Sequence, residues 1–240
     1  IIIEKNDRPG DSWRKRYKSL CLHDPVWYDH LPYLPFPDDW PVFSPKDKIG
    51  DWLESYTKIM ELNYWTRTTC QSASYDDVTK QWTVTVDRDG ETVVLKPQQL
   101  VLATGMSAVA NLPDVPGMES FQGDLHHSSK HPGPDAYSGK KAVVVGSNNS
   151  AHDISAALWE AGALVTMVQR SSTHIVKSNT LMEIGLGDLY SEKAIANGIT
   201  TDIADLIFAS LPYKAFPAMQ VPVYQAMKER DADFYERLEK

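Results

Sequence analysis

The sequence predicts an α/β fold of two Rossmann-like dinucleotide-binding lobes with a β-meander, the first lobe incomplete and the second inserted into it. Three observations carry this. The β-branched run Lys141-Ala142-Val143-Val144-Val145 passes through Gly146-Ser147-Asn148-Asn149-Ser150-Ala151 into a helical stretch, and a second apolar run, Leu164-Val165-Thr166-Met167-Val168, follows it. The runs Ile1-Ile2-Ile3 and Leu100-Val101-Leu102-Ala103 read as interior strands of a separate sheet. Between them, Gln81-Trp82-Thr83-Val84-Thr85-Val86 and Thr92-Val93-Val94-Leu95 are joined through Asp89-Gly90, a hairpin signal.

Taken in order, Ile1-Ile2-Ile3-Glu4 reads as a bare interior strand with nothing to pair with. Asp7-Arg8-Pro9-Gly10 is a turn, and a short helix is expected around 13–17. In 24–45, Pro25, Pro32, Pro35, Pro37 and Pro41 alternate with Trp27, Tyr28, Tyr33, Phe36, Trp40 and Phe43, which excludes helix and central strand. That stretch is a long ordered loop, either a substrate-facing wall or an aromatic-packed surface loop. Ser44-Pro45-Lys46-Asp47 starts a helix, with Ser44 as hydroxyl cap and Pro45 at the first position. Ile49, Trp52, Leu53, Tyr56, Ile59 and Met60 give that helix one apolar face. After the meander, 100–103 is a buried strand ending at Thr104-Gly105, and Leu112-Pro113-Asp114-Val115-Pro116-Gly117 lies in a crossing linker. Two helices, 193–211 and 219–239, separated by Pro212 and Pro217, complete the chain. The domains expected are 1–110, a partial first lobe; 111–125, a linker; and 126–240, the second lobe.

Composition sets limits. The 240 residues, 42% of them hydrophobic, suffice for one large domain or two small ones. A formal net charge of −8, with no basic stripe, argues against nucleic acid. No apolar stretch reaches the roughly 20 residues needed to span a bilayer. The two isolated cysteines, Cys21 and Cys70, lack metal or redox spacing and suit a reducing compartment such as the cytoplasm. His126-His127 is adjacent rather than at ligand spacing, so zinc is not expected. Because 229–240 ends inside a charged amphipathic helix, the chain reads as a fragment of a longer protein.

Strand, glycine turn, helix and strand together form the dinucleotide fingerprint, in which a helix N-terminus offers unpaired N–H groups to a pyrophosphate. Gly146, Ser147, Asn148, Asn149, Ser150 and Ala151 would form that cradle. Asn148 stands where the pattern wants glycine, and asparagine tolerates left-handed backbone better than most residues. About 20 positions on, an acid would select NAD. Arg170 occupies that place, followed by Ser171 and Ser172, and a guanidinium fits the 2′-phosphate of NADP. In the first lobe, Glu4 closes a strand where an acid would hold ribose hydroxyls of an adenine dinucleotide.

Phe121-Gln122-Gly123-Asp124-Leu125-His126-His127-Ser128-Ser129-Lys130 resembles the flavin-containing monooxygenase signature FxGxxxHxxx, with Phe121, Gly123 and His127 in register. His131-Pro132 departs from it where the family places an aromatic residue. Glu4 followed by Gly10-Asp11-Ser12-Trp13 is similar to the family's acid and GGxW. Leu20-Cys21-Leu22-His23-Asp24-Pro25 and Leu34-Pro35-Phe36-Pro37-Asp38-Asp39-Trp40-Pro41 look most like the indole-3-pyruvate monooxygenase branch. Ala103-Thr104-Gly105 and 146–151 complete the expected order, while the family's glycine-rich FAD loop and its C-terminal flavin-domain segment have no counterpart in these residues.

The resemblance implies FAD and NADPH as cofactors. O₂ and a small organic molecule would be the substrates, and a homodimer is compatible with it. NADPH would reduce the flavin, and a C4a-(hydro)peroxyflavin would oxygenate nitrogen or sulfur, or decarboxylate a 2-oxo acid oxidatively. Trp13, Arg14, Thr104 and Gly105 would join Glu4 at the flavin. His23, in place of an asparagine found in many family members, is the candidate catalytic side chain, and His127 would be structural. Two alternatives remain: an NADP-binding module or fragment without activity, and a flavin disulfide-reductase-like oxidoreductase, for which Cys21 and Cys70 lack the spacing.

Overall fold

A computed structural model describes residues 1–238 apart from Tyr28, Met106 and Ala108. Contacts group the chain into two units, Ile1–Arg170 and Ser171–Lys240, a division by packing density that is separate from the lobes expected from nucleotide binding.

In the first unit the N-terminal run is not without a partner: β1 (Ile2–Ile3) pairs in parallel with β2 (Tyr64–Trp65). A short helix, α1 (Asp11–Arg14), then packs against α2 (Lys46–Ile59). Gly10 makes this contact feasible. Its φ is 84°, and a Cβ there would lie 2.2 Å from the Gly50 carbonyl oxygen. Helix α2 begins one residue later than expected, with Pro45 in extended backbone as its cap. The Ser44 hydroxyl does not cap it but donates to the Pro41 carbonyl at 3.2 Å. Of the apolar face, Ile49 and Trp52 are buried, Leu53, Tyr56 and Met60 partly so, and Ile59 is exposed.

The proline-aromatic loop resolves largely into packing. Phe36 is buried, stacks on Trp40 at 5.1 Å and meets Trp52 of α2 at 4.7 Å. Trp27 and Tyr33 are exposed, and Tyr28 lies outside the described residues. Beyond β2 the meander has three strands, β3 (Thr68–Asp76), β4 (Gln81–Arg88) and β5 (Glu91–Leu95). Asp89 and Gly90 both take positive φ, 53° and 87°, as a two-residue hairpin turn of this hand requires. Residues 100–105, expected as a buried strand, are irregular, and Val101 and Leu102 are exposed. The run finds no partner strand among the described residues, and an apolar segment without a ladder cannot satisfy its backbone in a core.

The dinucleotide unit forms as the sequence predicts: β6 (Lys141–Val145), α3 (Asn149–Glu160) and β7 (Leu164–Val168), with the strands parallel in register from Lys141↔Leu164 to Val145↔Val168. Its strands are not central, since β6 pairs only with β7 among the described residues, and Val143 and Val145 on its outer face are exposed. The inner face belongs to a core in which Tyr17 and Leu20 pack on Ile154 and Leu158 of α3.

The second unit is helical. A turn at α4 (Ser178–Thr180) widens into π-helix over Leu181–Gly185, and α5 (Glu192–Ala196), α6 (Thr201–Ser210), α7 (Phe216–Arg230) and α8 (Ala232–Leu238) follow. Both predicted helices are therefore interrupted. Gly198, at φ 82°, ends the first, and Thr200 restarts it by accepting the Ile203 N–H at 3.4 Å. Asp231 breaks the second. It is buried, with its carboxylate accepting the Thr180 hydroxyl at 2.6 Å and the Lys177 N–H at 3.1 Å. Pro217 separates nothing, because it lies in the first turn of α7, where a missing N–H costs no hydrogen bond.

Gly10→Ala combines positive φ with a backbone clash, whereas Gly90→Ala meets open space and only the φ strain. Urea unfolding should show Gly90→Ala losing about 1 kcal/mol and Gly10→Ala clearly more, at least about 2 to 3 kcal/mol.

Candidate functional site

The glycine turn closes around a close approach. Gly146 has φ 151°, its N–H donates to the Val168 carbonyl at 3.0 Å, and a Cβ on it would come within 3.2 Å of the Ala151 Cβ. Small residues at both places let the strand run straight into the helix. Asn148 is extended (φ −92°, ψ 178°), so the left-handed backbone expected of it is not used, and any residue could adopt its conformation. Its carbonyl accepts the N–H groups of Ala151 at 2.9 Å and His152 at 3.2 Å, which starts the helix. The first turn of α3 carries no acidic residue. The positive end of the helix dipole, about half an elementary charge, is thus left for an anion. Asn149 is exposed and Ser147 and Ser150 are half-buried at this mouth.

Beside the apolar contact of Ile154 and Leu158, the start of α3 meets the N-terminal segment through polar groups. Asp153 Oδ2 accepts the Tyr17 hydroxyl at 2.8 Å and bonds His23 Nε2 at 3.0 Å. The Asn149 amide stands 2.8 Å from His23 Nδ1. An ionised carboxylate only accepts, so the shared hydrogen sits on His23 Nε2, and Nδ1 receives the Asn149 amide hydrogen. Burial, together with the Asp153 carboxylate and against the Ser150 hydrogen bond, pushes the Tyr17 phenol up to about 12. Both ring nitrogens of His23, expected at the flavin, are therefore engaged at the nucleotide turn. Tyr17 and Asp153 were missed in the sequence. Asp153 lies four residues after Asn149 and so on the same helical face, but nothing local marks Tyr17.

Arg170, at the end of β7, is exposed and makes no ion pair among the described residues. Ser171 and Ser172, which follow it, are also exposed.

The residues expected at the flavin are not gathered. Glu4 Oε1 accepts the backbone and side-chain N–H groups of Asn6 at 2.9 and 2.8 Å. Trp13 is packed against the cores on both sides of it. Arg14 spends all five donors inside the fold: Nε on Asp51, Nη1 on the Pro9 carbonyl and Asp11, Nη2 on Asp51 and Glu54, at 2.8 to 3.1 Å. Burial disfavours its charge, but the hydrogen bonds it donates to Asp51 and Asp11 and the field of Asp51 and Glu54 outweigh it, and its pKa rises. Thr104 and Gly105 are exposed in irregular chain. His127 caps a 3₁₀ turn, Nδ1 accepting the Ser129 N–H at 3.2 Å.

A family profile described as flavin-binding monooxygenase-like matches residues 5–188. The chain is 35% identical over 176 residues to the indole-3-pyruvate monooxygenase YUCCA1 of Oryza sativa subsp. japonica, covering 73% of this chain and 43% of that protein. It is 30% identical over 227 residues to the probable indole-3-pyruvate monooxygenase YUCCA10 of Arabidopsis thaliana, covering 92% of this chain and 59% of that one. The chain thus spans 43% and 59% of the length of these two relatives. Among solved structures, a flavin-containing monooxygenase from Stenotrophomonas maltophilia superposes with a TM-score of 0.66 at 23% identity, over 75% of this chain and 52% of that one. The bacillithiol disulfide reductase of Bacillus cereus reaches 0.64 at 18% identity, over 76% of this chain and 57% of that one. These structural likenesses establish the Rossmann-like fold and do not by themselves separate monooxygenase from disulfide reductase.

The Tyr17 phenol, at about 12 when folded against an ordinary 10.0, stabilises the fold below pH 10, and that contribution is lost as pH rises towards 12. Tyr17→Phe should therefore destabilise the chain at neutral pH by about 1 kcal/mol and flatten the fall in stability between pH 10 and 12, as read from unfolding curves across that range.

Proposed function

Because the chain belongs to the flavin-binding monooxygenase-like family, we propose that it supplies the NADPH-binding part of a flavin-dependent monooxygenase that oxygenates indole-3-pyruvate or a related 2-oxo acid. The observation that carries the nucleotide half is the β6–turn–α3–β7 unit. Gly146 packs against Ala151, the first turn of α3 holds no acid, and β7 ends at the Arg170 guanidinium, which makes no ion pair among the described residues. The residues fit NADP. Ser150 and the N–H groups of 147–151 would hold the pyrophosphate and Arg170 the 2′-phosphate, with the hydroxyls of Ser171 and Ser172 next in the chain. Bound there, the nucleotide would supply a hydride. The chain's part is to bind it, orient it and match its charge.

The flavin half rests on family membership. Glu4, Trp13, Arg14, Thr104 and Gly105 are engaged elsewhere or dispersed, so no catalytic step is derived through FAD from these residues. This favours a second reading for the isolated chain: a nucleotide-binding module that takes up NADPH, retains no flavin and is inactive alone. The functional division we propose is a flavin lobe over 1–110, a linker over 111–125 and an NADP lobe over 126–240, in a cytoplasmic protein. The aromatic loop gives the substrate less support than its sequence suggested, since Phe36 and Trp40 are packed on α2 and, among its described aromatic residues, only Trp27 and Tyr33 stand out. The 2-oxo acid comes from the relatives' activity, carried here as a proposal.

Arg170→Ala should weaken NADPH binding about ten- to hundredfold and NADH binding little, measured by titration of nucleotide fluorescence. Equal losses would assign Arg170 to the fold. The substrate is tested on the whole enzyme by oxygen uptake and product analysis with indole-3-pyruvate against trimethylamine in the presence of NADPH. Coupled turnover of indole-3-pyruvate is expected. Turnover of the amine alone, with indole-3-pyruvate only releasing peroxide, would remove the 2-oxo acid and leave nitrogen or sulfur oxygenation.

A further inference from the structure

We propose that His23 and Tyr17 are positioning residues for the nucleotide turn, holding the first turn of α3 from the N-terminal segment at the angle its N–H groups need to meet a pyrophosphate. The proposal rests on the NADPH reading above and assigns His23 a task other than chemistry at the flavin.

Three observations converge on it. First, the segment that carries these side chains is itself anchored. The Leu22 N–H donates to the Ser44 carbonyl at 2.8 Å, the Lys46 N–H to the Leu20 carbonyl at 2.9 Å, and Cys21 bridges Pro45. His23 therefore projects from chain fixed to the start of α2. Second, the contacts fall within one turn of one helix. Asn149 and Asp153 bind the two ring nitrogens, Tyr17 shares Asp153 Oδ2, and Ser150 bonds the same phenol. Helix neighbours four residues apart are thereby gripped by one imidazole, which fixes rotation of the helix about its axis as well as its position. Third, the His23 side chain is 37% exposed and belongs to neither hydrophobic cluster of this unit, so its contribution lies in hydrogen-bond direction rather than packing.

With Nε2–H given to Asp153 and Nδ1 filled by Asn149, the ring has no free nitrogen for proton transfer. The same geometry orients the Asn149 amide. Asn149 is the first residue of α3 and a member of the glycine turn, so its side chain would otherwise rotate freely at the mouth where phosphate enters. Deleting the imidazole releases Asn149 and leaves Asp153 held by Tyr17 alone. Deleting the phenolic oxygen alone leaves the His23 contacts in place.

The test titrates the chain with NADPH and records amide ¹H–¹⁵N spectra of residues 146–151 for wild type, His23→Ala, His23→Gln, Tyr17→Phe and the double variant. His23→Ala should weaken NADPH binding about tenfold and shift the amides of the turn, with His23→Gln recovering part of the affinity through one restored bond to Asp153. The double variant should lose less than the two single losses combined, because both act through one carboxylate oxygen. A purely structural role would lower the unfolding midpoint yet leave NADPH affinity within twofold and the turn amides in place, and that result overturns the proposal. A wild-type chain that does not bind NADPH overturns the nucleotide reading itself and this use of the contacts with it, so the two failures are distinguishable.

Discussion

The nucleotide unit depends on its seam with the N-terminal segment, apolar through Tyr17 and Leu20 and polar through Asp153. The β6–β7 pair alone is a two-stranded ribbon with an exposed outer face, which would be marginal in water. Its stability comes from the other face, where Tyr17 and Leu20 cover Ile154 and Leu158. A buried tyrosine removes about 150 to 250 Å² from water, which at about 25 cal/mol per Å² amounts to an upper bound of roughly 4 to 6 kcal/mol. A hydrogen bond to a charged acceptor contributes about 1.5 to 3 kcal/mol. Packing therefore decides that α3 is held, and Asp153 decides at which rotation, because apolar contact alone tolerates small slips and a shared carboxylate oxygen does not.

Sequence was most informative where structure is local. The β6–turn–α3–β7 unit and the Asp89-Gly90 hairpin follow from patterns a few residues long, and both formed. Strand β3 was illegible because Thr68-Thr69-Cys70-Gln71-Ser72-Ala73-Ser74-Tyr75 is almost wholly polar. It exists because β4 offers it a ladder, and it is exposed along most of its length. Residues 100–103 failed in the opposite sense, with strand composition but no neighbour among the described residues to complete a ladder. Asp231 shows a third mechanism: a charged residue inside a helical pattern reads as solvated surface, whereas here its carboxylate is buried on Thr180 and Lys177 and breaks the helix.

The candidate site divides along the same line. Gly146 and Ala151 are five residues apart, so their mutual closeness is visible in the sequence as two small residues in a turn. His23 and Asn149 are separated by 126 positions and Tyr17 and Asp153 by 136, and no periodicity links them. Family resemblance marked His23 as notable but put it at the flavin. Similarly, Phe36 and Trp40 carry the composition of a ligand wall, and only the position of Trp52 on α2 turns them inward.

The five-donor saturation of Arg14 has a consequence for how this position can vary. Its fork reaches acceptors on four residues at once: Pro9, Asp11, Asp51 and Glu54. Lysine has three donors on a single rotating centre and cannot span them, while a neutral side chain would leave Asp11 to Lys15, and Glu54 to Arg8 and Lys58, and give up the links to Pro9 and Asp51. Substitution at one of the acceptors leaves the guanidinium several others, so loss there is graded. Substitution at Arg14 dissolves every link in one step. The network is thus tolerant at its periphery and brittle at its hub: variation can accumulate among the carboxylates around an arginine that has no substitute of its own.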